Sequence, residues 1–434
     1  MTFRLRRLLW PKSWGGKAIL FLVFMTALLV STFFSAQHYS AKRLAEAWKL
    51  GDEFGLPIEL SALLGERVPD AENAAFPLDE ASTIAGRFLT VERERHKNPE
   101  DRALIQNQTY LAAMDRLLSD AEYERAISEA DRRTGYFSPI VPADPLINTK
   151  LTHLEPRREL IRAEQAIARR LASLGKREEA VERLLRIARL TRRWEDREPF
   201  FVAALVNISL RSVLIAEFNF QLRNGGPLPS RFHNDIDREM SETERLLLVI
   251  PRLAQVEKLS TVGAFDQFAV FRPRFLTKPI ADADRAFLLH HIHWWARTYD
   301  RPHYLVKSGI DAKEAELQAM FEQPLSTFMY QGTRLLMPAF KMVRIGFDRL
   351  IANARCLRIV NAMARKSDFA AEISTLGAPK ECLVDPFDGN RLRIKTTPAG
   401  PIIYSVGSDF ADDGGSIGNG KDAGLGPREP KAEN

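Results

Sequence analysis

Cysteine is scarce in this sequence, and the short motifs that mark common enzyme classes are missing. Two cysteines among 434 residues exclude a scaffold held by several disulfides and a zinc module built on four cysteines. The chain contains no nucleophile elbow, phosphate-binding loop, dinucleotide-binding glycine run or His-Glu-x-x-His motif. Composition and motifs therefore assign no catalytic residue and no organic cofactor.

A strong excess of one charge is also lacking. The chain has 62 basic and 56 acidic residues, and its formal net charge is +6. The basic residues that precede residue 18, where no acidic residue occurs, are Arg4, Arg6, Arg7, Lys12 and Lys17. The rest of the chain is therefore close to neutral, and we predict no nucleic-acid partner.

Charged side chains are absent altogether between Ala18 and Ala41. A helix of about 20 apolar residues crosses the hydrocarbon core of a bilayer, so we predict a transmembrane anchor over 18–41 after a basic segment over 1–17. Basic residues flank the cytoplasmic side of such spans. The sequence thus predicts a single-pass protein of the cytoplasmic (inner) membrane, with the lipid bilayer as a partner, the N-terminus inside and the body outside.

A cleaved signal peptide is the alternative interpretation of this segment. Such a peptide has a shorter apolar core and small residues at positions −3 and −1. Cleavage after Ala36 would place Phe34 at −3, and cleavage after Ala41 would place Tyr39 there. Both positions fit poorly, which favours a retained anchor.

The exported part has a mainly helical pattern. We predict a helical stalk with an irregular region over 42–155, and a helical body over 156–378. The prolines expected to interrupt these helices are Pro57, Pro69, Pro77 and Pro99 in the first segment, and Pro273, Pro279 and Pro338 in the second.

Residues 156–222 carry the clearest helical periodicity. Apolar residues from Leu160 to Leu174 recur at spacings of three and four, Gly175 ends that helix, and the spacing resumes from Ala180. This pattern predicts a helical hairpin. The turn resembles that of a tetratricopeptide repeat, but a stacked array needs at least three repeats, which favours an ordinary antiparallel helix pair.

A second apolar stretch, Phe200 to Leu222, contains Arg211 and Glu217. A central arginine costs about 2.5–3.5 kcal/mol in a membrane helix. We therefore predict a core helix of the exported body rather than a second span.

The pattern changes after Pro379. Arg391–Lys395 alternates polar and apolar residues as an exposed strand does, and we predict a second strand over Ile402–Val406, with turn residues before and between the two. We predict a small β-hairpin with an acidic loop over 379–415. The Gly- and Pro-rich residues 416–434 are expected to form a disordered tail.

Two clusters of potential metal ligands stand out. Asp409, Asp412 and Asp413 lie among glycines after the last strand, and clustered carboxylates on a flexible loop are what calcium prefers. A solvated loop without metal explains the same composition. His290 and His293 share a helical face near His291 and His303, so they could hold a transition metal. The alternative is a packed aromatic helix.

The cysteines leave two alternatives open. Outside the cell, Cys356 and Cys382 could form a disulfide, which would stabilise the fold by roughly 3 kcal/mol. Free buried thiols are equally compatible with the sequence.

The C-terminal segment resembles two known groups. Asp385-Pro-Phe-Asp-Gly-Asn390 followed by Tyr404-Ser-Val-Gly-Ser-Asp409 and Asp412-Asp-Gly-Gly415 is similar to the tail of type II secretion major pseudopilins, in which the corresponding loop binds calcium. The resemblance covers about 30 residues, and it implies that Asp409, Asp412 and Asp413 are calcium ligands. The anchor, helical body and terminal motif together resemble uncharacterised single-anchor proteins of planctomycete bacteria.

These observations predict a membrane-anchored, extracytoplasmic structural or protein-interaction protein of the cell envelope, with other envelope proteins as partners. One alternative is a secretion-apparatus component distantly related to pseudopilins. Another is a metal-dependent hydrolase that uses the histidines of residues 290–303.

Overall fold

The computed structural model describes residues 14–50, 52, 60–95, 108–138, 140–143, 146–195, 197–225, 227–268, 274–369, 375–417 and 421–427. It is mainly helical, with a small antiparallel sheet near the C-terminus. This confirms the predicted fold class in its coarse form. The predictions for residues 1–13, Pro57, Pro99, Pro273 and 428–434 lie outside the described residues.

The α-helices follow one another along the chain as α1 Trp14–Lys49, α2 Leu60–Leu64, α3 Ala75–Arg95, α4 Gln108–Leu118, α5 Ala121–Arg132, α6 Leu154–Ser173, α7 Arg177–Glu195, α8 Phe201–Arg223, α9 Ser230–Thr243, α10 Ile250–Phe268, α11 Arg274–Thr298, α12 His303–Phe321, α13 Pro324–Met329 and α14 Gln331–Lys366. The strands are β1 Arg393–Thr397, β2 Gly400–Ser405 and β3 Ala423–Leu425.

Helix α1 has two different halves. Its large apolar side chains from Phe21 to Phe34 are mostly exposed. Further along, Gln37, Ser40, Leu44 and Ala47 recur at spacings of three and four, and all four are buried or half-buried. The helix packs mainly on α11. The anchor helix therefore continues past residue 41, as the predicted stalk requires, and its second half packs into the core of the body.

Residues 42–155 contain helices that pack on one another, where an irregular region was predicted. Helix α3 packs against α5 and α6, and α4 packs against α6. Pro77 does not interrupt α3 because it lies in the first turn, where a helix needs no hydrogen bond from the missing N–H. This region therefore belongs to the main helical core.

Helices α6 and α7 form the predicted antiparallel hairpin, with Gly175 at a positive φ of 77° in the turn. Leu160, Ile167 and Leu171 on α6 are buried, as are Ala180 and Leu184 on α7. The helix pair is clear, whereas a tetratricopeptide array is not shown by the described residues.

Helix α8 is long and apolar enough to cross a membrane, as is α1 from Phe21 onward. Half of the residues in the most apolar stretch of α8 are buried in the body. Its charges are paired there: Arg211 Nε donates to both carboxylate oxygens of Glu195 at 2.9 and 2.8 Å, and Arg169 Nε donates to Glu217 at 2.6 Å. These contacts fit the predicted core helix.

Two prolines expected to interrupt helices lie inside them. Pro279 is within α11 and Pro338 is within α14. An internal proline removes one backbone hydrogen bond, but most helix stability in proteins comes from tertiary packing. Both helices pack on several neighbours, which offsets that loss.

The sheet has the order β1-β2-β3. Strands β1 and β2 pair with Arg393 opposite Tyr404, as the predicted hairpin requires. Strand β3 corrects the prediction of a tail disordered from residue 416. A Cβ on Gly424 would lie 2.3 Å from the carbonyl oxygen of Ile403, so glycine permits this close pairing, and three residues are too few to show strand alternation in the sequence.

Cys356 and Cys382 are both free and buried. Burial raises the pKa of the Cys382 thiol to about 12 and that of Cys356 further. Since the thiolate is the reactive form, both thiols are expected to be inert in the folded protein.

The Glu195–Arg211 pair gives a stability prediction. Both side chains are nearly completely buried, so Glu195→Ala removes the carboxylate that pairs with the buried Arg211 guanidinium and should lower the free energy of unfolding by about 3–5 kcal/mol. Glu182→Ala on the same helix is the control, because Glu182 is half-exposed and lies 3.7 Å from Arg189, a pair worth at most about 1 kcal/mol. Denaturant unfolding in detergent, followed by circular dichroism, measures both; equal losses would contradict the prediction.

Candidate functional site

The predicted calcium ligands lie in the C-terminal unit, defined as residues 380–417 and 421–427. Strands β2 and β3 of this unit pack against α14. Arg355 on α14 donates to the carbonyl oxygen of Val384 at 2.8 Å. The helical body therefore supplies the platform on which the acidic loop is built.

Asp385 organises the start of this unit. It is completely buried, and one carboxylate oxygen accepts from the Phe387 N–H at 2.9 Å and from Ser405 Oγ at 2.7 Å. The other oxygen accepts from the Val406 N–H at 3.0 Å and from Arg393 at 3.1 Å. One carboxylate thus joins the Asp-Pro turn to the end of β2.

Asp422 has the same role at the other end of the acidic loop. Its side chain is buried, and it accepts hydrogen bonds from the backbone N–H groups of Gly415 at 2.8 Å and Ser416 at 3.1 Å. Gly407 lies where the loop begins, and a Cβ there would be 1.9 Å from the carbonyl oxygen of Lys421. The loop is therefore closed by one buried carboxylate and one obligatory glycine.

The three predicted ligands have separate partners within the protein. Asp409 accepts from the Ala411 N–H at 3.2 Å. Asp412 accepts from Tyr404 Oη at 3.0 Å and from Arg393 Nε at 3.2 Å. Asp413 lies 3.2 Å from the Lys421 ammonium. The described parts of the chain hold no group of three or more His, Cys, Asp or Glu side chains that could bind a metal, and the calcium site stays a prediction.

Arg393 is the principal cation of this unit. Besides its contacts with Asp385 and Asp412, it donates to Asp388 at 2.6 Å. The backbone N–H of Gly414, together with Tyr404 and Arg393, lowers the pKa of Asp412. The Arg393 guanidinium therefore offsets the negative charge of Asp385, Asp388 and Asp412, the last of which the sequence predicts as a calcium ligand.

The histidines of residues 290–303 do not converge. His290 is exposed with Nδ1 2.7 Å from the carbonyl oxygen of Ala286, whereas His291 is buried with Nδ1 2.9 Å from that of Phe287. Burial lowers the pKa of His291 to about 4. His293 lies on the same helix, and His303 begins the next one. The geometry fits the packed aromatic helix better than a metal site.

His303 has a different partner that sequence reasoning missed. Its Nδ1 lies 2.8 Å from a carboxylate oxygen of Asp348, which also accepts from Arg344 Nε at 2.6 Å. The imidazole ring packs against Phe387 and Phe410, with ring centroids 5.5 and 5.2 Å away. This contact joins the C-terminal unit to the helical body.

A second polar cluster is enclosed in the body around Glu198, just after α7. Its carboxylate accepts from Tyr136 Oη and Ser138 Oγ at 2.9 Å each, and from Arg157 at 2.7 Å. His153 Nε2 lies 3.2 Å away. Burial alone raises the pKa of Glu198, but Arg157 and His153 outweigh burial and lower that pKa to about 2. Arg157 is itself fully buried, 4.8 Å from the Trp194 ring.

The buried Glu198 cluster links three chain segments, at residues 136–138, 153–157 and 198. Its members could not be paired from the sequence, because helical periodicity does not indicate contacts between distant segments. Its complete burial marks it as a structural centre of the helical body.

The chain matches no protein-family model, no curated protein and no solved structure. The pseudopilin and planctomycete resemblances therefore stay predictions from sequence.

The Glu198 carboxylate gives a pH prediction. Its pKa is about 2 in the folded chain and 4.5 as a reference for the unfolded chain. The stabilisation is therefore fully present above pH 4.5 and is lost as the pH falls toward 2, by about 3 kcal/mol. Glu198→Gln should remove this loss of unfolding free energy at low pH. Glu178→Gln, at an exposed residue, should leave the loss unchanged. Denaturant unfolding, followed by tryptophan fluorescence at several pH values, gives the slope of the unfolding free energy against pH. Equal slopes for the wild type and both variants would contradict the prediction.

Arg393 gives a test of the C-terminal unit. Arg393→Ala leaves Asp385 with one charged donor fewer and should weaken the unit by about 1.5–3 kcal/mol. Lys395→Ala on the same strand is the control, because Lys395 is exposed and donates only to the Gly414 carbonyl. Hydrogen exchange of the β1 and β2 amides should quicken in the first variant and not in the second. Unchanged exchange in both would show that Arg393 is dispensable.

Proposed function

We propose that the chain is a single-pass, membrane-anchored protein whose body lies outside the cytoplasm and binds other proteins of the cell envelope. The observation that carries the proposal is the two-part helix α1, whose first half exposes apolar side chains and whose second half is built into the body.

The first half of α1 suits a lipid environment. The uncharged stretch from Ala18 to Ala41 would be about 36 Å long as a helix, against roughly 30 Å for the hydrocarbon core. Its threonines are satisfied inside the helix, since Thr26 and Thr32 donate to the carbonyl oxygens of Leu22 and Leu28 at 2.8 Å. Such internal bonding is what a membrane helix requires.

The second half of α1 supports a retained anchor over a cleaved signal peptide. Cleavage after Ala36 or Ala41 would cut an uninterrupted helix. Cleavage after Ala41 would also remove Gln37 and the buried Ser40 from the face that packs with the body. Since cleavage after Ala41 would take part of the core away and cleavage after Ala36 would interrupt a continuous helix, the helix is better explained as permanent.

The proposed orientation rests on the basic residues before the span and the positive-inside rule. It places the C-terminal unit and the body on the outer side of the cytoplasmic membrane.

A cleft of about 600 Å³ on the body supports a binding role. It is open to solvent, and its apolar lining includes Leu247, Leu248, Pro251 and Tyr299, with Glu244 and Arg297 beside them. Leu248 is 73% exposed. An apolar centre with charged residues around it is typical of surfaces that bind other proteins.

A secretion-apparatus component is the second candidate, favoured by the C-terminal unit alone. The segment that resembles pseudopilins forms a β-hairpin followed by a closed acidic loop. N-terminal sequencing of the purified protein distinguishes the candidates, because pseudopilin-like processing after Gly16 would give a mature start at Lys17.

The anchor proposal predicts resistance to alkaline extraction. Wild-type chain should stay in the membrane pellet after carbonate treatment. The double variant Val23→Arg with Leu29→Arg should be released in large part, because each central arginine costs about 2.5–3.5 kcal/mol in a membrane helix. Val23→Leu with Leu29→Phe is the matched control and should stay in the pellet.

Protease added to intact spheroplasts tests the orientation. Digestion of the body without lysis is the expected result, whereas protection until lysis would reverse the topology. Release of the wild-type chain by carbonate would overturn the anchor itself.

A further inference from the structure

A polar cleft of about 460 Å³ lies between helices α9 and α14. Residues 376–379 form a third wall. The two long walls are helix faces on which the residues recur at spacings of three and four: Asn234, Asp237, Arg238 and Ser241 on α9, and Arg358, Asn361, Ala362 and Arg365 on α14. The volume of this α9–α14 cleft is within the range of sites that bind small molecules, which is about 300–1,000 Å³.

Hydrogen bonds between the two helices hold the long walls of the cleft together. Asn361 donates to the carbonyl oxygen of His233 at 2.8 Å, and its side-chain oxygen lies 2.7 Å from His233 Nδ1. Arg365 donates to Asn234 Oδ1 at 2.8 Å. The cleft therefore has its shape without a ligand, which lowers the cost of binding one.

The side-chain acceptors of these walls are largely used within the protein. Both carboxylate oxygens of Asp237 accept from Arg358, at 2.8 and 3.3 Å. The amide oxygen of Asn234 accepts from Arg365, as described above. Few acceptors therefore remain for a ligand that donates hydrogen bonds.

The guanidinium groups, in contrast, keep donors in excess. In the part of the chain that the structure describes, Arg238, Arg358 and Arg365 donate through Nε or Nη2, and their Nη1 groups donate to no protein acceptor. Arg358 is only 5% exposed, so its guanidinium is held within the wall. Asp235 and Glu381 pair with Arg238 and Arg358 from outside the lining. The lining itself has three arginines and one aspartate, and this imbalance favours an anion.

The arrangement of the arginines fits a phosphate group better than a carboxylate. A single guanidinium fork satisfies both oxygens of a carboxylate. A phosphate monoester has three terminal oxygens and a charge of about −2 at neutral pH, and it can accept from several directions. Arg238 reaches the cleft from α9, whereas Arg358 and Arg365 reach it from α14, so donors come from two walls.

The remaining space fits an organic group attached to the phosphate. A phosphate occupies the volume of only a few water molecules, at about 30 Å³ each, which is a small part of the cleft. Ala362, Leu376 and Pro379 supply apolar surface beside the arginines. We propose that the α9–α14 cleft binds a phosphate monoester, either as a small organic phosphate or as a lipid headgroup, with Arg238, Arg358 and Arg365 as its donors.

Isothermal titration calorimetry on the full chain in neutral detergent, at constant ionic strength, tests the proposal. Glycerol 3-phosphate is the soluble probe, and phosphatidic acid in mixed micelles is the lipid probe. Succinate, a dicarboxylate, is the comparison of similar charge. The variants Arg238→Ala, Arg365→Ala and Arg365→Lys change exposed residues of the lining. Arg231→Ala, also exposed on α9 but outside the lining, is the matched control, and circular dichroism checks that each variant folds.

Wild-type chain should bind a phosphate probe saturably and succinate severalfold more weakly. Arg238→Ala and Arg365→Ala should each raise the Kd about tenfold, because a charge-assisted hydrogen bond is lost. Arg365→Lys should recover only part of that loss, since lysine lacks the planar fork. Arg231→Ala should stay within about twofold of the wild type, because salt screens a distant exposed charge.

The two probes also distinguish the sources of the phosphate. Binding of phosphatidic acid without binding of glycerol 3-phosphate would support a lipid ligand, and binding of both would support a soluble phosphate. Absence of saturable binding by either probe would overturn the site, as would an equal loss in Arg231→Ala and the lining variants. Equal affinity for succinate would overturn the assignment to a phosphate.

Discussion

A charge taken out of water must meet an opposite charge, and guanidinium–carboxylate pairs satisfy that requirement throughout the helical body. In the part of the chain that the structure describes, the pairs that cross segment boundaries in the core include Arg157–Glu198, Arg183–Glu164, Arg211–Glu195 and Arg169–Glu217. A buried pair adds little net stability over an apolar contact, but a broken one is costly. We infer that these pairs fix which helix faces meet, while apolar contacts supply most of the stabilisation.

The helical class and the apolar first helix could be predicted because their signals are local. The uncharged stretch from Ala18 and the three-and-four spacing around Leu160 each depend on residues within a few turns. Pro279 and Pro338 misled the prediction, since tertiary packing outweighs one lost hydrogen bond. Strand β3 was not predicted, because its pairing depends on a close contact that Gly424 permits.

The C-terminal unit shows where local patterns stop being informative. The sequence located the acidic loop and left calcium binding and a solvated loop as alternatives for Asp409, Asp412 and Asp413, and the structure adds the partners that these side chains have within the protein. The residues that organise the loop, Asp385 and Asp422, act through donors up to 21 positions away. His303 and Asp348 are 45 positions apart. Such contacts have no periodicity, so a single sequence does not reveal them.

The packing of α1 into the core has a consequence for how the molecule meets its surroundings. If α1 spans a bilayer as proposed, its packing into the core would hold the body at a fixed tilt and height, whereas a flexible tether would allow many orientations. Any partner would then approach the same face at the same distance. One residue inserted after Ala41 would turn the preceding helix by about 100°, so the exposed apolar half of α1 and the face containing Leu44 and Ala47 could not both keep their positions.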